Sequence, residues 1–161
     1  MDKEDFWNHI NPLQERIFRF ALSILKNKED AQDALHDVVV KLWDSKHRLM
    51  SEKNINAFAL KTTKNYCIDL LRKRGEVLTL AASHQTPATG SSYEQQDLIA
   101  LIKNRSHQLP VQQRMVLELK DFQGYSYEEI SKILDIPIAT LRVVLSRARK
   151  FVLKSVTHEP G

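Results

Sequence analysis

The sequence predicts an all-α fold in which two small helical domains are joined by a flexible linker. Apolar residues recur at helical spacing in several stretches of the 161-residue chain. Four glycines and five prolines are too few for the many turns of an all-β fold. Between the helical stretches, residues 75–92 are small, polar and aperiodic, which is typical of a flexible linker. A plain loop inside one helical bundle is the alternative.

Three helices are predicted in the first domain, residues 1–74. The first covers residues 5–26, and Pro12 starts or kinks it. Its apolar residues share one face: Ile10, Leu13, Ile17, Phe20, Ala21, Ile24 and Leu25. The second covers residues 27–44 and opens on an asparagine, whose side chain is suited to cap it. The third covers residues 54–74, where helical periodicity ends.

The second domain, residues 93–161, is predicted to begin with helices over residues 94–107 and 110–121. A proline at the start of the second of these fits its first turn, since the missing N–H is not needed there. Both helices are expected to support the pair that follows them.

The last two helices are predicted to form a helix-turn-helix. Ser126 and Glu129 make a capping box that opens the first of the pair, and Asp135 can adopt the turn conformation after it. The apolar side of the second helix consists of Leu141, Leu145, Ala148 and Val152. A helix held across another by a three-residue turn is the geometry with which helix-turn-helix proteins bind DNA.

The outer face of this last helix is basic. Residues 138–154 carry five basic residues and no acidic one, whereas solvated faces usually mix signs. Arginine and lysine can neutralise phosphates and read guanine, and an exposed valine can contact a thymine methyl. The residues expected on DNA are Arg142, Val143, Ser146, Arg147, Lys150 and Lys154. A solvated surface helix is the alternative.

The helix of residues 27–44 has the opposite character, with five acids and one lysine between Glu29 and Asp44. No internal partner is expected for the acids of its outer face. Such a face cannot lie on DNA, but it can dock a basic protein with apolar anchors. The candidate protein-binding residues are Asp33, Asp37, Val40 and Trp43. A solvated acidic face is the alternative.

The stretch 54–74 is again basic, with five basic residues and one acid. Its buried side is predicted to hold Leu60, Cys67 and Leu71. An outward aromatic among amides, hydroxyls and cations suits stacking on an unpaired base. The candidate residues are Phe58, Lys61, Thr62, Asn65, Asp69 and Arg72. Packing of Phe58 on the preceding helix and an Asp69–Lys73 ion pair are the alternatives.

Other function classes are disfavoured by composition. The net charge of +4 weakly favours a polyanionic partner. The single cysteine rules out an internal disulfide and suits a reducing compartment. The polar, acidic N-terminus is not expected to be a signal peptide. No apolar run approaches the roughly 20 residues that a membrane-spanning helix needs. The six histidines are not spaced as metal ligands usually are, so no metal or other cofactor is expected. The sequence has no P-loop and no paired-carboxylate site, so an enzyme is not expected either.

These three surfaces, in this order, resemble the sigma-70 family of bacterial transcription initiation factors, and most closely its small extracytoplasmic-function (ECF) group. EDAQDALHDVVVKLW is similar to the helix that binds core polymerase. NAFALKTTKNYCIDLLRKR is similar to the motif that opens and reads the −10 element. LPVQQRMVLELKDFQGYSYEEISKILDIPIATLRVVLSRARK is similar to the region that binds the −35 element.

The resemblance implies a factor that binds core RNA polymerase at its clamp coiled coil and flap, directs it to promoters, and does no chemistry itself. It assigns the acidic surface to polymerase, the 54–74 surface to the −10 element and the basic helix to the −35 element. It also implies a bacterial cytoplasmic location, and leaves open whether an anti-sigma protein sequesters the chain. About 18 linker residues at roughly 3.3–3.6 Å each reach about 60 Å. A promoter spacer of about 16–17 base pairs, at roughly 3.4 Å per pair, is similar in length.

The sequence departs from the family pattern on both DNA surfaces. Phe58 stands where the family usually has tryptophan, and Leu60 where it has an aromatic residue. Val143 replaces a serine, and Val144 replaces an arginine, which predicts the loss of a phosphate contact. Two other classes are weighed: a DNA-binding regulator that works without polymerase, and a protein-interaction module whose basic helices meet acidic proteins.

Overall fold

The structure, a computed structural model, describes residues 2–75 and 98–157, with side chains up to residue 154. Every regular element in these ranges is helical, as the sequence predicts. The helices are α1 Lys3–Ile10, α2 Gln14–Leu25, α3 Lys28–Asp44, α4 Lys46–Ser51, α5 Ile55–Lys73, α6 Leu98–Ser106, α7 Val111–Leu117, α8 Tyr127–Leu134 and α9 Ile138–Thr157. A 3-10 turn, Asn11–Leu13, joins α1 to α2, and a π-helical turn, Glu118–Phe122, follows α7.

The first lobe consists of α1 to α5 and is built around α2, which packs against α3 and α5. All seven apolar residues predicted to share one face of the first helix are buried. The predicted single helix over residues 5–26 is nevertheless two helices. Pro12 lies in the 3-10 turn between them, because proline has no N–H for the helical ladder.

Asparagine caps fix where α3 and α5 begin. The side-chain oxygen of Asn27 accepts the backbone N–H of Asp30 at 2.9 Å, and that of Asn54 accepts the N–H of Ala57 at 2.9 Å. Each bond satisfies a donor that the first helical turn leaves without an internal partner. The six-residue helix α4 was not predicted. Its first turn has no side-chain cap, and a segment this short shows no hydrophobic period.

The second lobe consists of α6 to α9, with α9 packed against α6, α7 and α8. The predicted capping box is present: the Ser126 hydroxyl accepts the Glu129 N–H, and the Glu129 carboxylate accepts the Ser126 N–H, both at 3.1 Å. Asp135 ends α8 in the left-handed conformation, with φ of 56°. The helix-turn-helix therefore has the three-residue turn that the sequence predicts.

The two lobes are packed against each other, with α2 on α7 and α5 on α8. Arg114 of α7 is buried at this interface, and its guanidinium donates to the carbonyls of Ser23 at 2.6 Å and Ile24 at 3.0 Å. A third bond, to the carbonyl of Leu109 at 2.6 Å, holds the arginine within its own lobe. Arg114 thus satisfies carbonyls that the end of α2 leaves without helical partners.

A second cross-lobe contact joins Arg16 of α2 to Gln123. The Arg16 guanidinium donates to the Gln123 carbonyl, and the Gln123 amide donates to the Arg16 carbonyl, both at 3.1 Å. The same guanidinium lies over the ring of Tyr125, 5.0 Å from its centroid. The predicted linker falls almost entirely on residues 76–92, which lie outside the described residues. The helices on either side of it share one buried apolar cluster.

Candidate nucleic-acid and protein interfaces

The acidic face of α3 lies on the outside of the first lobe. The buried stripe Ala31, Ala34, Leu35, Val38 and Leu42 turns Asp33, Asp37 and Val40 outward. Val40 is 57% exposed. Asp33 makes no ion pair within the part of the chain that the structure describes. An exposed valine on the same helix face as an unpaired carboxylate is suited to protein docking.

The expectation that the acids of this face have no internal partner is wrong for Asp37. Its carboxylate accepts a short hydrogen bond from the Tyr66 hydroxyl of α5. Burial of the phenol, together with that bond, raises the pKa of Tyr66 to about 12. The hydrogen bond holds the Asp37 carboxylate against α5.

Trp43 is half-buried rather than fully presented to a partner. Its ring packs edge-on against Phe6, with 5.1 Å between the ring centroids, and the Lys46 ammonium lies 4.3 Å from its centroid. Part of the indole therefore belongs to the core of the lobe. Only its remaining exposed edge is available as an anchor.

A groove of about 1360 Å³ runs along the outer side of α5. Three of the predicted −10 residues, Asn65, Asp69 and Arg72, are exposed along it, and Phe58, Lys61 and Thr62 are half-buried in it. The predicted buried side is also correct, because Leu60, Cys67 and Leu71 lie in the core. The six candidates therefore line one groove.

Four of these candidates already have partners. Phe58 packs partly against the core, with the Arg48 guanidinium 5.6 Å from its ring centroid, so it is less outward than predicted. The Thr62 hydroxyl donates to the Phe58 carbonyl at 2.9 Å. Asp69 pairs with Lys73 at 3.2 Å, which was the weighed alternative. Lys61 pairs with Asp135 of the second lobe at 3.1 Å.

The outer face of α9 presents the residues predicted for the −35 element. All six candidates are exposed: Arg142, Val143, Ser146, Arg147, Lys150 and Lys154. Val143 is 50% exposed between cationic neighbours. Within the described ranges, Arg147 and Lys150 make no ion pair or ring contact. These two charges are therefore available for phosphates.

Val144 requires a correction. The sequence interpretation treated it as the loss of an arginine contact to phosphate. In the structure Val144 is buried, three residues after Leu141 on the face that α9 turns to its own lobe. The valine therefore adds to the core at a position that does not face outward, and its effect on DNA affinity is indirect.

Two arginines of α9 are held by the first residue of α8 and by the π-helical turn before it. Arg142 lies over the ring of Tyr127 at 5.2 Å, and Lys120 lies 4.7 Å from the same centroid. Arg149 pairs with the Asp121 carboxylate through two nitrogens, one of them at 2.9 Å. Sequence reasoning missed this support. The signal in the sequence for this support was Tyr127, an aromatic residue at the first position of α8, the helix that precedes the basic helix α9.

In the described residues, no cluster of three or more histidine, cysteine or acidic side chains could hold a metal ion. None of the helices in the same part of the chain is both long enough and apolar enough to cross a bilayer.

The fold and surfaces define a class of protein: a two-lobed helical protein with a helix-turn-helix, in which one exposed helix face is acidic and another is basic. The family model described as Sigma-70 region 2 matches residues 9–77, and that described as Sigma-70 region 4 matches residues 100–152. Together these matches cover most of the chain. The chain belongs to the sigma-70 family and to its ECF group, and its function is that of a sigma factor in promoter-directed transcription initiation.

Several ECF and related sigma factors are similar to the chain along its length. RNA polymerase sigma factor SigZ of Bacillus subtilis is 27% identical over 164 residues, covering 98% of this chain and 90% of the relative. ECF RNA polymerase sigma factor SigE of Mycolicibacterium smegmatis is 24% identical over 143 residues, covering 84% of this chain. The alignment spans 55% of SigE, so the chain corresponds to about half of that relative.

A solved structure has the same fold. The sigma factor RpoE of Bartonella quintana, crystallised in complex with the anti-sigma factor NepR, superposes with a TM-score of 0.76 at 24% sequence identity. The superposition covers 98% of this chain and 99% of that one.

Proposed function

We propose that the chain docks on core RNA polymerase through α3, reads the −35 element with α9, and receives the unpaired −10 strand in the groove of α5. The observation that carries this proposal is the segregation of charge between two exposed helix faces. α3 presents acids around Val40, whereas α9 presents only cations around Val143. A protein that bound DNA alone would not need the first face, and a protein adaptor would not need the second.

Polymerase docking uses Asp33, Asp37, Val40 and Trp43. The two acids meet a basic part of the clamp coiled coil, and Val40 supplies the apolar anchor that becomes buried. The Tyr66 hydrogen bond holds Asp37 ready in its docking orientation, which reduces the entropy lost on binding. The second lobe contacts the polymerase flap when the complex reaches a promoter.

Duplex recognition uses the outer face of α9. Arg147 and Lys150 neutralise phosphates, and Val143 contacts a base edge in the major groove. Arg142, supported by Tyr127, lies at the start of the helix, where such helices meet the bases. Arg149 has its charge satisfied by Asp121 and makes a smaller contribution.

Strand opening uses the groove of α5. Asn65 can hydrogen-bond the edge of an unpaired base, and Arg72 lies where it can pair with the strand backbone. The exposed part of the Phe58 ring provides a smaller stacking platform than the sequence suggested. Recognition there therefore depends more on hydrogen bonds and charge than on stacking.

The wider assignment follows from these roles. The first domain covers residues 1–74, the linker residues 75–92, and the second domain residues 93–161. The chain works in the bacterial cytoplasm with polymerase, and catalyses no reaction itself. Because the similar RpoE was crystallised with an anti-sigma factor, a protein of that kind is a further candidate partner.

Transcription in vitro tests the proposal. Core polymerase with this chain should initiate at discrete start sites on fragments of the source genome, and core polymerase alone should not. If the chain instead binds promoter fragments specifically without polymerase, it is a DNA-binding regulator that works without polymerase. If it binds neither polymerase nor DNA, the protein-interaction alternative gains support.

A further inference from the structure

Arg149 is the one cation of α9 that lies in an ion pair within the part of the chain that the structure describes. Its guanidinium donates through Nε at 2.9 Å and through Nη2 at 2.5 Å to the two carboxylate oxygens of Asp121. Both side chains remain partly exposed, at 45% for Arg149 and 29% for Asp121. A two-point contact fixes the orientation of a guanidinium as well as its position. Asp121 therefore determines where this cation points.

Arg149 lies at the edge of the face of α9 that is proposed to meet DNA. It follows Arg142 by seven residues and Ser146 by three, so helical spacing places the three side chains on one side of the helix. All three residues are exposed. An unpaired arginine at this edge would add a cation for the phosphates of any duplex, whatever its sequence. The ion pair therefore removes a contact that would carry no sequence information.

Asp121 is held in place by the turn to which it belongs. It lies in the π-helical turn Glu118–Phe122, where the nearby Leu119 is completely buried. The backbone N–H of Gln123 donates to the Glu118 carbonyl at 2.9 Å and closes the turn around the carboxylate-bearing residue. Because the turn is anchored in this way, the arginine must leave the carboxylate in order to reach a phosphate.

We infer that Asp121 is a specificity-determining residue, which withholds Arg149 from DNA phosphates and so weakens binding to duplexes that lack the −35 element. This inference rests on the proposed function, because it assumes that α9 reads DNA. A duplex without the element is bound through phosphates alone, so one added cation strengthens its binding. At the element itself, base contacts already fix the position of α9, and the same cation adds less.

The salt dependence of DNA binding tests whether a charge is withheld. Asp121→Asn keeps the shape of the side chain but removes its charge, so Arg149 becomes available to a phosphate. The affinity of the full chain for a labelled duplex of scrambled sequence should rise roughly fivefold, about the most that an exposed ion pair contributes. The slope of log affinity against log salt should steepen by about 0.9, the value for one further phosphate contact. A carboxylate that only supported the fold would leave this slope unchanged.

Three variants separate this effect from net charge and from stability. Glu15→Gln makes the same change in net charge on α2, where Glu15 pairs with Arg19 at 2.8 Å outside the proposed DNA surfaces, and it should leave the slope unchanged. Asp121→Asn combined with Arg149→Gln should return the slope to that of the parent. Arg149→Lys keeps both charges but loses the two-point contact, so it should steepen the slope and provides the test if Asp121→Asn does not fold.

A comparison of two duplexes tests the effect on specificity. Preassembled holoenzyme carrying Asp121→Asn should bind scrambled duplex roughly fivefold more tightly than the parent holoenzyme does, but promoter duplex at most about twofold more tightly. An unchanged salt slope, a loss of affinity for scrambled duplex, or equal gains on both duplexes would overturn the inference. If the parent holoenzyme does not prefer the promoter to the scrambled duplex, the proposed function is refuted instead.

Discussion

Val143 gives the sharpest test of how α9 reads DNA. The side chain is 50% exposed on the outer face, and we expect it to meet a thymine methyl in the −35 element. Complete burial of a valine is worth about 1.5–3 kcal/mol, and half of this one is already buried. Val143→Ser should therefore weaken promoter binding by about 1 kcal/mol, or roughly fivefold.

A double-mutant cycle identifies the contact. Replacing the thymine with uracil, which lacks only the methyl group, should weaken the parent holoenzyme by the same factor of about five. Both changes together should also cost about fivefold, because they delete one contact. The assay is titration of preassembled holoenzyme onto labelled promoter DNA at fixed salt. Met50→Ser, at an exposed apolar residue of α4 that belongs to neither the docking nor the DNA surfaces, should leave this DNA affinity unchanged.

The reasoning fails if the two losses are additive, giving about 25-fold in combination. Val143 would then be an exposed valine without a DNA contact. Base preference would have to come from Arg142, Ser146 or Arg147.

Three other predictions follow from the surfaces and the titrating groups. Asp33→Lys should lower the affinity for core polymerase by roughly tenfold. It should not change the stability of the fold, because the Asp33 carboxylate makes no ion pair within the described residues. A pull-down titration measures the affinity and thermal unfolding the stability, and an unchanged affinity would remove α3 from the interface. Asn65→Ala should reduce permanganate reactivity of −10 thymines more than closed-complex formation, whereas equal effects on both would contradict its role in opening. Burial, Arg114 and Lys26 lower the pKa of His107, so the unfolded chain takes up a proton that the folded chain resists. The free energy of unfolding, measured with urea, should therefore decrease as the pH drops below 6.5. His107→Gln should make this decrease smaller. If the variant loses as much stability over the same pH range as the parent, other groups cause the decrease.

Local signals in the sequence predicted most of the helices well. Asn27 and the Ser126–Glu129 box are caps that act through their immediate neighbours, so both could be read without tertiary information. The outer face of α9 was also predictable, since helical spacing alone separates it from the buried stripe. Val144 was misread because a family comparison was given more weight than that spacing.

Contacts across the chain were not predictable. Arg114 is followed in α7 by three apolar residues, Met115–Leu117, but this pattern does not reveal that the arginine caps α2 of the other lobe. The Tyr66–Asp37 bond joins residues 29 apart on separate helices, and no local pattern marks it. α4 and the π-helical turn after α7 were missed for a different reason, since each is too short to show a period.

The central claim is that this chain lets polymerase recognise and open a promoter. Footprinting at a start site mapped by transcription in vitro tests it most directly. Core polymerase together with the chain should protect the −35 element and make −10 thymines reactive to permanganate, and neither component alone should do so. The same protection by the chain alone, or the same reactivity with core polymerase alone, would contradict the account.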